Sequence, residues 1–311
     1  MRVLVIGALT VDYIDFYGKY REEMLGGGAF YSSIAARKLG AKVTLLTIVG
    51  RDFNQKYLDF IESTGTEVHL LKGENTIKFL NYLIRPGLRK QEVLSTTTRK
   101  IAEIPFDLKE FEIIHITPVL GEVDDVLAEY ILKNNFDGKI SIEIQGFVRE
   151  DKVGSLKNKF WNSSGKWLKN AFSLHLSKEE LLFAVRRRIQ ELIKSENNEG
   201  ADYVALTMAS YGSFVFSKNE RHFIPIPREL IFENDVGCGD IYSMVFSLMV
   251  AQGKELIDAG LEATAIAALR AKYKQISEFF NDDLNIDATK RRLREHQIHY
   301  GLSQVSKNVQ K

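Results

Sequence analysis

The sequence is poor in residues that staple or interrupt a chain: its 311 residues include one cysteine and five prolines. The single thiol, Cys238, cannot close an intramolecular disulfide, and no Cys/His cluster has zinc-ligand spacing, so a disulfide framework and a structural zinc site are excluded. There is no excess of charge. Lys+Arg number 42 against 41 Asp+Glu, a formal net charge of +1, which gives no long-range field for nucleic acid or an anionic membrane, and neither partner is expected. Long apolar runs are missing as well. The N-terminus, MRVLVIGALTVDYID, meets Asp12 and Asp15 where a signal peptide would stay apolar, and no stretch approaches the roughly 20 apolar residues that span a bilayer. The expectation is a cytoplasmic protein. What is present is 45% hydrophobic residues, enough at this length to bury a substantial core.

Short β-branched runs alternate with longer helical patterns, the signature of parallel strands joined by helical crossovers. Core strands are expected at Arg2–Ile6, Lys42–Val49, Ile113–Thr117, Lys139–Ile144, Ser173–Leu176 and Tyr203–Met208, with helices at Phe30–Leu39, Asn54–Thr64, Val123–Asn134 and Lys178–Lys194. Two excursions break the alternation. Residues 76–97 contain two β-like runs around Arg85-Pro86-Gly87, a turn pair, and read as a hairpin. Val11–Tyr17 adds a further β-like stretch before Gly26–Gly28. Together these excursions, about 11–27 and 75–98, predict a small sheet inserted into one α/β domain spanning 1–311. The final third reads as helical, with Ile241–Gln252, then Leu256–Phe280, then a basic tail, KRRLREHQ at 290–297. The tail and Arg186–Arg188 are both expected to be solvated helix faces.

The most informative segment is Asn234-Asp235-Val236-Gly237-Cys238-Gly239-Asp240, followed by an apolar helical pattern. Glycines on either side of one small residue, directly before a helix, let backbone N–H groups turn toward an anion where the helix dipole assists. A carboxylate beside a phosphate cradle repels phosphate unless it has a separate task. Taking a proton from an attacking hydroxyl is such a task for Asp240, and capping the helix is the plain alternative. Gly26-Gly27-Gly28 precedes another helix and reads equally as a ligand approach or a hinge. Thr207-Met208-Ala209-Ser210-Tyr211-Gly212 reads as a strand-loop-strand corner, and by spacing alone as an ordinary tight turn. Absences narrow the field. There is no GxxxxGK[ST] and no GxGxxG after the first strand, which excludes a P-loop kinase and disfavours a nicotinamide-dependent oxidoreductase.

In this order the segments resemble the PfkB, or ribokinase-like, carbohydrate kinases. GGGAFYSSIAARKLG (Gly26–Gly40) resembles the family's N-terminal signature, and KVTLLTIVGRD its next strand with a Gly-x-Asp ending at Gly50 and Asp52. LHLSKEE resembles Asn-x-x-Glu with Ser177 and Glu180 at those positions. LTMASYG resembles Thr-x-Gly-x-x-Gly, keeping Thr207 and Gly212 and placing Ala209 at the first Gly. NDVGCGD resembles Asp-Thr-x-Gly-Ala-Gly-Asp, with Asn234, Asp235 and Cys238 as departures.

The resemblance implies a three-layer α/β/α sandwich with a mostly parallel central sheet and a small β-sheet lid, and a kinase that moves the γ-phosphate of ATP, with Mg2+, onto a hydroxyl of a sugar or polyol. Asp240 would be the general base, with N–H groups of Gly237, Cys238 and Gly239 around the transferring phosphoryl. Asp12, Gly26, Gly27, Gly28 and Tyr31 would face the acceptor. Ser177, Thr207, Ala209 and Gly212 would line the nucleotide, and Glu180 would help organise the metal. The helix N-terminus could also lower the Cys238 pKa. The family's usual Asn and Lys fall on Tyr31 and Gly28, which departs from ribose recognition. SIEIQGFVRE, with Gln145 and Arg149, resembles a branch that includes myo-inositol kinases. That makes myo-inositol the leading acceptor, ahead of other sugars or a nucleoside, with Arg149 as either a ligand contact or a surface residue. A non-catalytic binding protein on the same scaffold is the alternative, and a homodimer through the lid is the expected assembly.

Overall fold

The computed structural model describes the backbone of residues 1–85, 88–184, 189–195, 199–231 and 234–309, and the side chains of the same residues except 85, 88 and 299–309. The strands are β1 (Arg2–Ile6), β2 (Thr10–Phe16), β3 (Arg21–Gly26), β4 (Lys42–Val49), β5 (Glu67–Lys72), β6 (Ile77–Arg85), β7 (Leu88–Ser95), β8 (Ile113–Ile116), β9 (Lys139–Glu143), β10 (Gly154–Ser155), β11 (Ala171–Ser177), β12 (Tyr203–Thr207), β13 (Gly212–Ser217) and β14 (Arg221–Pro225). The helices are α1 (Gly28–Lys38), α2 (Gln55–Ser63), α3 (Asp125–Lys133), α4 (Ser164–Leu168), α5 (Lys178–Ala184), α6 (Cys238–Ala251), α7 (Leu256–Ala271), α8 (Ile276–Asn281) and α9 (Ile286–Val309).

Nine strands form one sheet in the order β14-β13-β12-β11-β9-β8-β1-β4-β5. It is parallel from β12 to β5, and β13 and β14 close the far edge antiparallel. Strand β1 shows why the sheet is covered on both faces. Val3 and Val5 join one apolar cluster with α1, α6 and α7, while Leu4 and Ile6 join a second with α3 and α4. A strand apolar on both faces needs helices on both sides, and the result is the three-layer α/β/α sandwich.

The second sheet has the order β10-β7-β6-β2-β3. The first excursion is itself a hairpin, β2 against β3, and a short third contribution, β10, pairs with β7; neither is legible in the sequence. The turn residues Pro86 and Gly87, like Arg186–Arg188, lie outside the described residues.

Three helical expectations change. Of the helix expected at 178–194, Lys178–Ala184 is described as α-helix, and Ile189–Leu192 is a 3-10 turn. The helix expected at 256–280 is two. A capping box, Gln275 with Glu278, starts α8 afresh, and Arg270 Nη1 donates to Tyr273 O in the gap. The basic tail is solvated only in part. In α9, Leu293 is fully buried, Lys290 pairs with Glu262 at 2.7 Å, and Gln297 Nε2 donates to Phe223 O.

Candidate active site

Parallel strands place their carboxyl ends on one edge, and ligands bind where neighbouring connections leave in opposite directions. Here β1 leads toward β4 on one side while β8 flanks it on the other. At that edge two clefts meet at Asp240. The narrower lies under the small sheet, lined by Asp12, Tyr31, Asn81, Gln91, Gln145 and Arg149, among others. The wider holds about 550 Å³. One wall of it is polar, with Glu143, His175, Ser177, Glu180 and Thr207, and the other is apolar, with Ile226, Leu230, Ala267, Ala268 and Ala271.

The loop at 234–240 is shaped by Gly237, the N-cap of α6, at φ 78°. A left-handed residue there favours glycine, and a Cβ would also strike the Tyr31 ring. Asp240 falls in the first turn of α6. Its approach depends on Gly28, where a Cβ would clash with Thr117 Oγ1 and sit 2.9 Å from Asp240 Oδ1. Cys238 N–H donates to Asp235 O (3.2 Å), so this member of the expected N–H cradle already has an acceptor. The Cys238 thiol is not activated by the helix N-terminus: burial pushes its pKa up to about 12. Beneath the loop, Ser32 Oγ donates to Asp240 O (3.3 Å) and lies 3.2 Å from His115 Nε2. Ser141, Ser247 and Ser173 continue that buried chain at 2.7 to 2.9 Å. Burial pushes His115 down to about 3, so the ring is neutral and acts as a fixed spacer between β8 and α1.

Asp240 does not stand alone. Its carboxyl adjoins and interacts with that of Glu143, at the end of β9, and both line the wide cleft. Glu143 accepts from Thr117 Oγ1 (2.7 Å) and lies 3.0 Å from His175 Nδ1, while His175 Nε2 is 3.3 Å from Thr207 Oγ1. Burial, then the Glu143 charge, holds Asp240 well above the ordinary carboxylate range. Burial pushes Glu143 up to about 7 and His175 down to about 4. Between those values both partners are neutral, so the Glu143–His175 contact is a hydrogen bond and not an ion pair.

On the narrower side, Asp12 accepts from Thr10 Oγ1 (2.7 Å), and its carboxyl is pushed up to about 6, chiefly by burial, against the Thr10 bond and the Arg89 charge. Arg149 is no surface residue. It is 7% exposed, contacts Val119 O and Gln91 Oε1 at 3.3 Å, and lies over the Phe79 ring.

The structure brings the expected site residues together around these two clefts, Gly26 excepted: it ends β3 behind Asp12 and lines neither. Gly27 is the N-cap of α1. Ser177 and Glu180 cap α5 reciprocally, Ser177 N–H donating to Glu180 Oε2 (2.8 Å) and Glu180 N–H to Ser177 Oγ (3.3 Å). Ala209 takes φ 48°, the conformation a glycine would hold without strain, and Gly212 opens β13. Sequence reasoning missed Glu143, His175, Thr117 and Arg89. A carboxylate ending an otherwise apolar strand was the available signal for Glu143; Arg89, beyond the Pro86-Gly87 turn, had none.

Among the described residues no group of three or more His, Cys, Asp or Glu is arranged to hold a metal ion by itself. Glu180, facing the wide cleft, is a hard oxygen donor suited to a Mg2+ that enters on phosphate oxygens and keeps several waters. No described helix is long and apolar enough to cross a membrane.

The profile of the pfkB family carbohydrate kinases matches residues 2–282. A cytidine kinase of Thermococcus kodakarensis is 24% identical over 271 residues, covering 84% of this chain and 93% of its own. Among solved structures, a pyrophosphate-dependent kinase in the ribokinase family, complexed with a pyrophosphate analogue and myo-inositol, superposes with TM-score 0.72 at 24% identity, covering 86% of this chain and 94% of that one. Arabidopsis thaliana ribokinase with ribose and ATP gives TM-score 0.68 at 16% identity, over 93% and 98%. The shared architecture is ribokinase-like.

Proposed function

The chain belongs to the pfkB family of carbohydrate kinases, phosphotransferases acting on hydroxyl groups, and from that membership we propose that it moves the γ-phosphate of ATP onto a hydroxyl of a small polyol, with Asp240 as general base. The observation that carries the reading is the placement of Asp240. It sits where the two clefts meet, in the first turn of α6, so an acceptor hydroxyl on one side and a terminal phosphate on the other would reach the same carboxylate. First-turn N–H groups at Gly239 and around Gly237 would take up charge developing on the transferring phosphoryl. Mg2+ bound with the donor would neutralise phosphate charge. Glu180 would orient its waters, with Ser177 and Thr207 beside the phosphates.

The apolar wall of Ile226, Leu230, Ala267, Ala268 and Ala271 fits the flat face of a base, which supports a nucleotide donor. The acceptor cleft is small and its lining is dominated by hydrogen-bonding side chains. Asp12, Asn81, Gln91, Gln145 and Arg149 suit a compact ring of hydroxyls better than a nucleoside. Myo-inositol is the leading acceptor, as it is the ligand of the pyrophosphate-dependent kinase compared above. The small sheet would act as the lid. Its exposed Tyr20, Ile84 and Leu94 would mediate a dimer, to be read from the mass in solution.

The test is a panel of polyols, sugars and nucleosides with Mg2+ and either ATP or pyrophosphate. Transfer from ATP to myo-inositol is expected; transfer from pyrophosphate alone would overturn the donor assignment, and preference for a nucleoside the acceptor. Asp240→Asn should bind donor normally and lose about 10²- to 10⁴-fold in turnover, and an undiminished rate would remove Asp240 as base.

A further inference from the structure

Glu143 and His175 lie beside Asp240 on the polar wall of the wide cleft, buried, in contact, and without a task in the reading above. Two adjoining carboxyl groups that interact in a buried site hold a single proton between them over a wide pH range. The second carboxyl is not stranded: Thr117 Oγ1 fixes one oxygen at 2.7 Å and His175 Nδ1 meets the other at 3.0 Å. The far ring nitrogen of His175 reaches Thr207 Oγ1 at 3.3 Å, and Thr207 lines the wide cleft. A line of buried polar groups therefore runs from Asp240 through Glu143 and His175 to a hydroxyl at the cleft wall.

We propose that Glu143 and His175 form a proton outlet for Asp240, positioning the base and carrying away the proton it takes from the acceptor hydroxyl. The inference rests on Asp240 being the base. In the reacting state the resident proton is on Glu143, directed at His175 Nδ1, and His175 Nε2–H is directed at Thr207 Oγ1, which leaves Asp240 ionised. During transfer the acceptor O–H bond breaks and its oxygen bonds to the terminal phosphorus. The bond from that phosphorus to the bridging oxygen breaks, and its electron pair leaves with the donor's remaining phosphate. The hydroxyl proton goes to an Asp240 carboxylate oxygen. It then moves to Glu143 as the Glu143 proton moves to His175 Nδ1 and the Nε2 proton leaves toward Thr207 and cleft water. One proton enters the line and one leaves it.

The charged and titratable groups that bear on Asp240 and Glu143 are Asp12 on β2, Tyr31 on α1, Arg89 on β7, Arg149 after β9, His175 on β11, Glu180 on α5 and Cys238 on α6. Of these, only His175 is hydrogen-bonded to Glu143 among the described residues.

The experiment is a carboxyl carbon NMR titration of the free protein, combined with the pH profile of kcat. In the unmodified chain Asp240 and Glu143 are each expected to titrate in two coupled steps. Glu143→Gln removes the neighbouring charge, so Asp240 should titrate in one step, lower by about one unit or more. The acid limb of kcat should move down with it, while the donor KM stays within about threefold. His175→Gln, which keeps a hydrogen bond to Glu143 but cannot pass a proton, should lower kcat at least about 10-fold and enlarge the solvent deuterium isotope effect. Glu143→Asp, which keeps the carboxylate, should retain coupled titration, and it carries the test with His175→Gln if Glu143→Gln does not fold. Independent one-step titrations in the unmodified chain, or an acid limb unmoved in Glu143→Gln, overturn the proposal. An unaltered isotope effect in His175→Gln removes His175 from the path. Absence of phosphoryl transfer with every donor and acceptor would instead refute the proposed function, since the titration needs neither ligand.

Discussion

Ala209 carries a conformational cost that its neighbours do not share. At φ 48° it holds a left-handed conformation between β12 and β13, in a turn whose exit residue, Gly212, is at φ 117°. An L-residue with a Cβ is disfavoured there by roughly 1–2 kcal/mol, and glycine is not. Ala209→Gly is therefore expected to stabilise the fold by about 1 kcal/mol, reduced somewhat because glycine also loosens the unfolded chain. Chemical denaturation would read this as a higher midpoint with an unchanged slope; a lower midpoint would mean that the alanine methyl is worth more in packing than its strain costs. The same position explains a gap in what the sequence makes legible. The motif around Thr207 is recognisable with alanine at its first glycine because the backbone keeps the glycine shape. No propensity argument from an isolated alanine would have assigned that shape.

At the scale of elements, the Gly50/Asp52 ending of β4 acquires a role that its sequence did not announce. Asp52 accepts from Thr76 N–H (2.9 Å) and Thr76 Oγ1 (2.8 Å) and pairs with Lys78 at 2.6 Å, and Gly50 N–H donates to the same Thr76 hydroxyl. These bonds tie the start of β6, and with it the small sheet, to the central sheet. Partial burial works against ionisation, yet the Lys78 and Thr76 hydrogen bonds prevail and hold the Asp52 carboxyl down to about 2. A depressed carboxyl favours the folded state above its free-chain pKa and loses that contribution as pH falls toward 2, so the tie is intact throughout the neutral range. The Asp52–Lys78 pair is partly solvated and worth at most about 1 kcal/mol. Asp52→Ala should accordingly raise the acceptor KM about fivefold, the equivalent of that energy, while the donor KM is spared. Equal changes in both KM values would show that the tie does not act through the lid. The helix–strand alternation was readable because period and β-branching are local. The β2–β3 hairpin, β10, and the break between α7 and α8 were not, because each depends on a partner distant in sequence or on a cap that competes with a good helical pattern.

For the whole molecule, the cleft concentrates buried ionisable groups whose preferences oppose one another. Asp12, Glu143 and Asp240 all bind protons more tightly in the folded chain than an ordinary carboxyl does. For each, the cost of folding begins as pH rises above the free-chain carboxyl value near 4 and is complete above the folded value. His115 and His175 run the other way: buried and neutral, they favour folding above about pH 6.5, the free-chain value, and lose that contribution as pH falls through it. Below pH 6.5 the two sets offset each other. Above it the histidines are neutral in both states, exposed carboxylates are fully ionised, and only the cleft carboxyls with the highest folded pKa values still lose protons. The free protein should therefore become less stable from about pH 6.5 to 8, by up to roughly 1.4 kcal/mol per pH unit for each carboxyl still titrating. Replacing Glu143 with Gln removes one of these groups and lowers the proton affinity of a second, Asp240. The decline in that variant should be shallower, and its stability at pH 8 closer to that at pH 6.5, measured by urea unfolding at both pH values. A stability that rises over this interval, or a variant that keeps the full slope, would mean that these carboxyls are ionised in the free protein at neutral pH. Asp240 would then stand ready as a base without needing its proton drawn off.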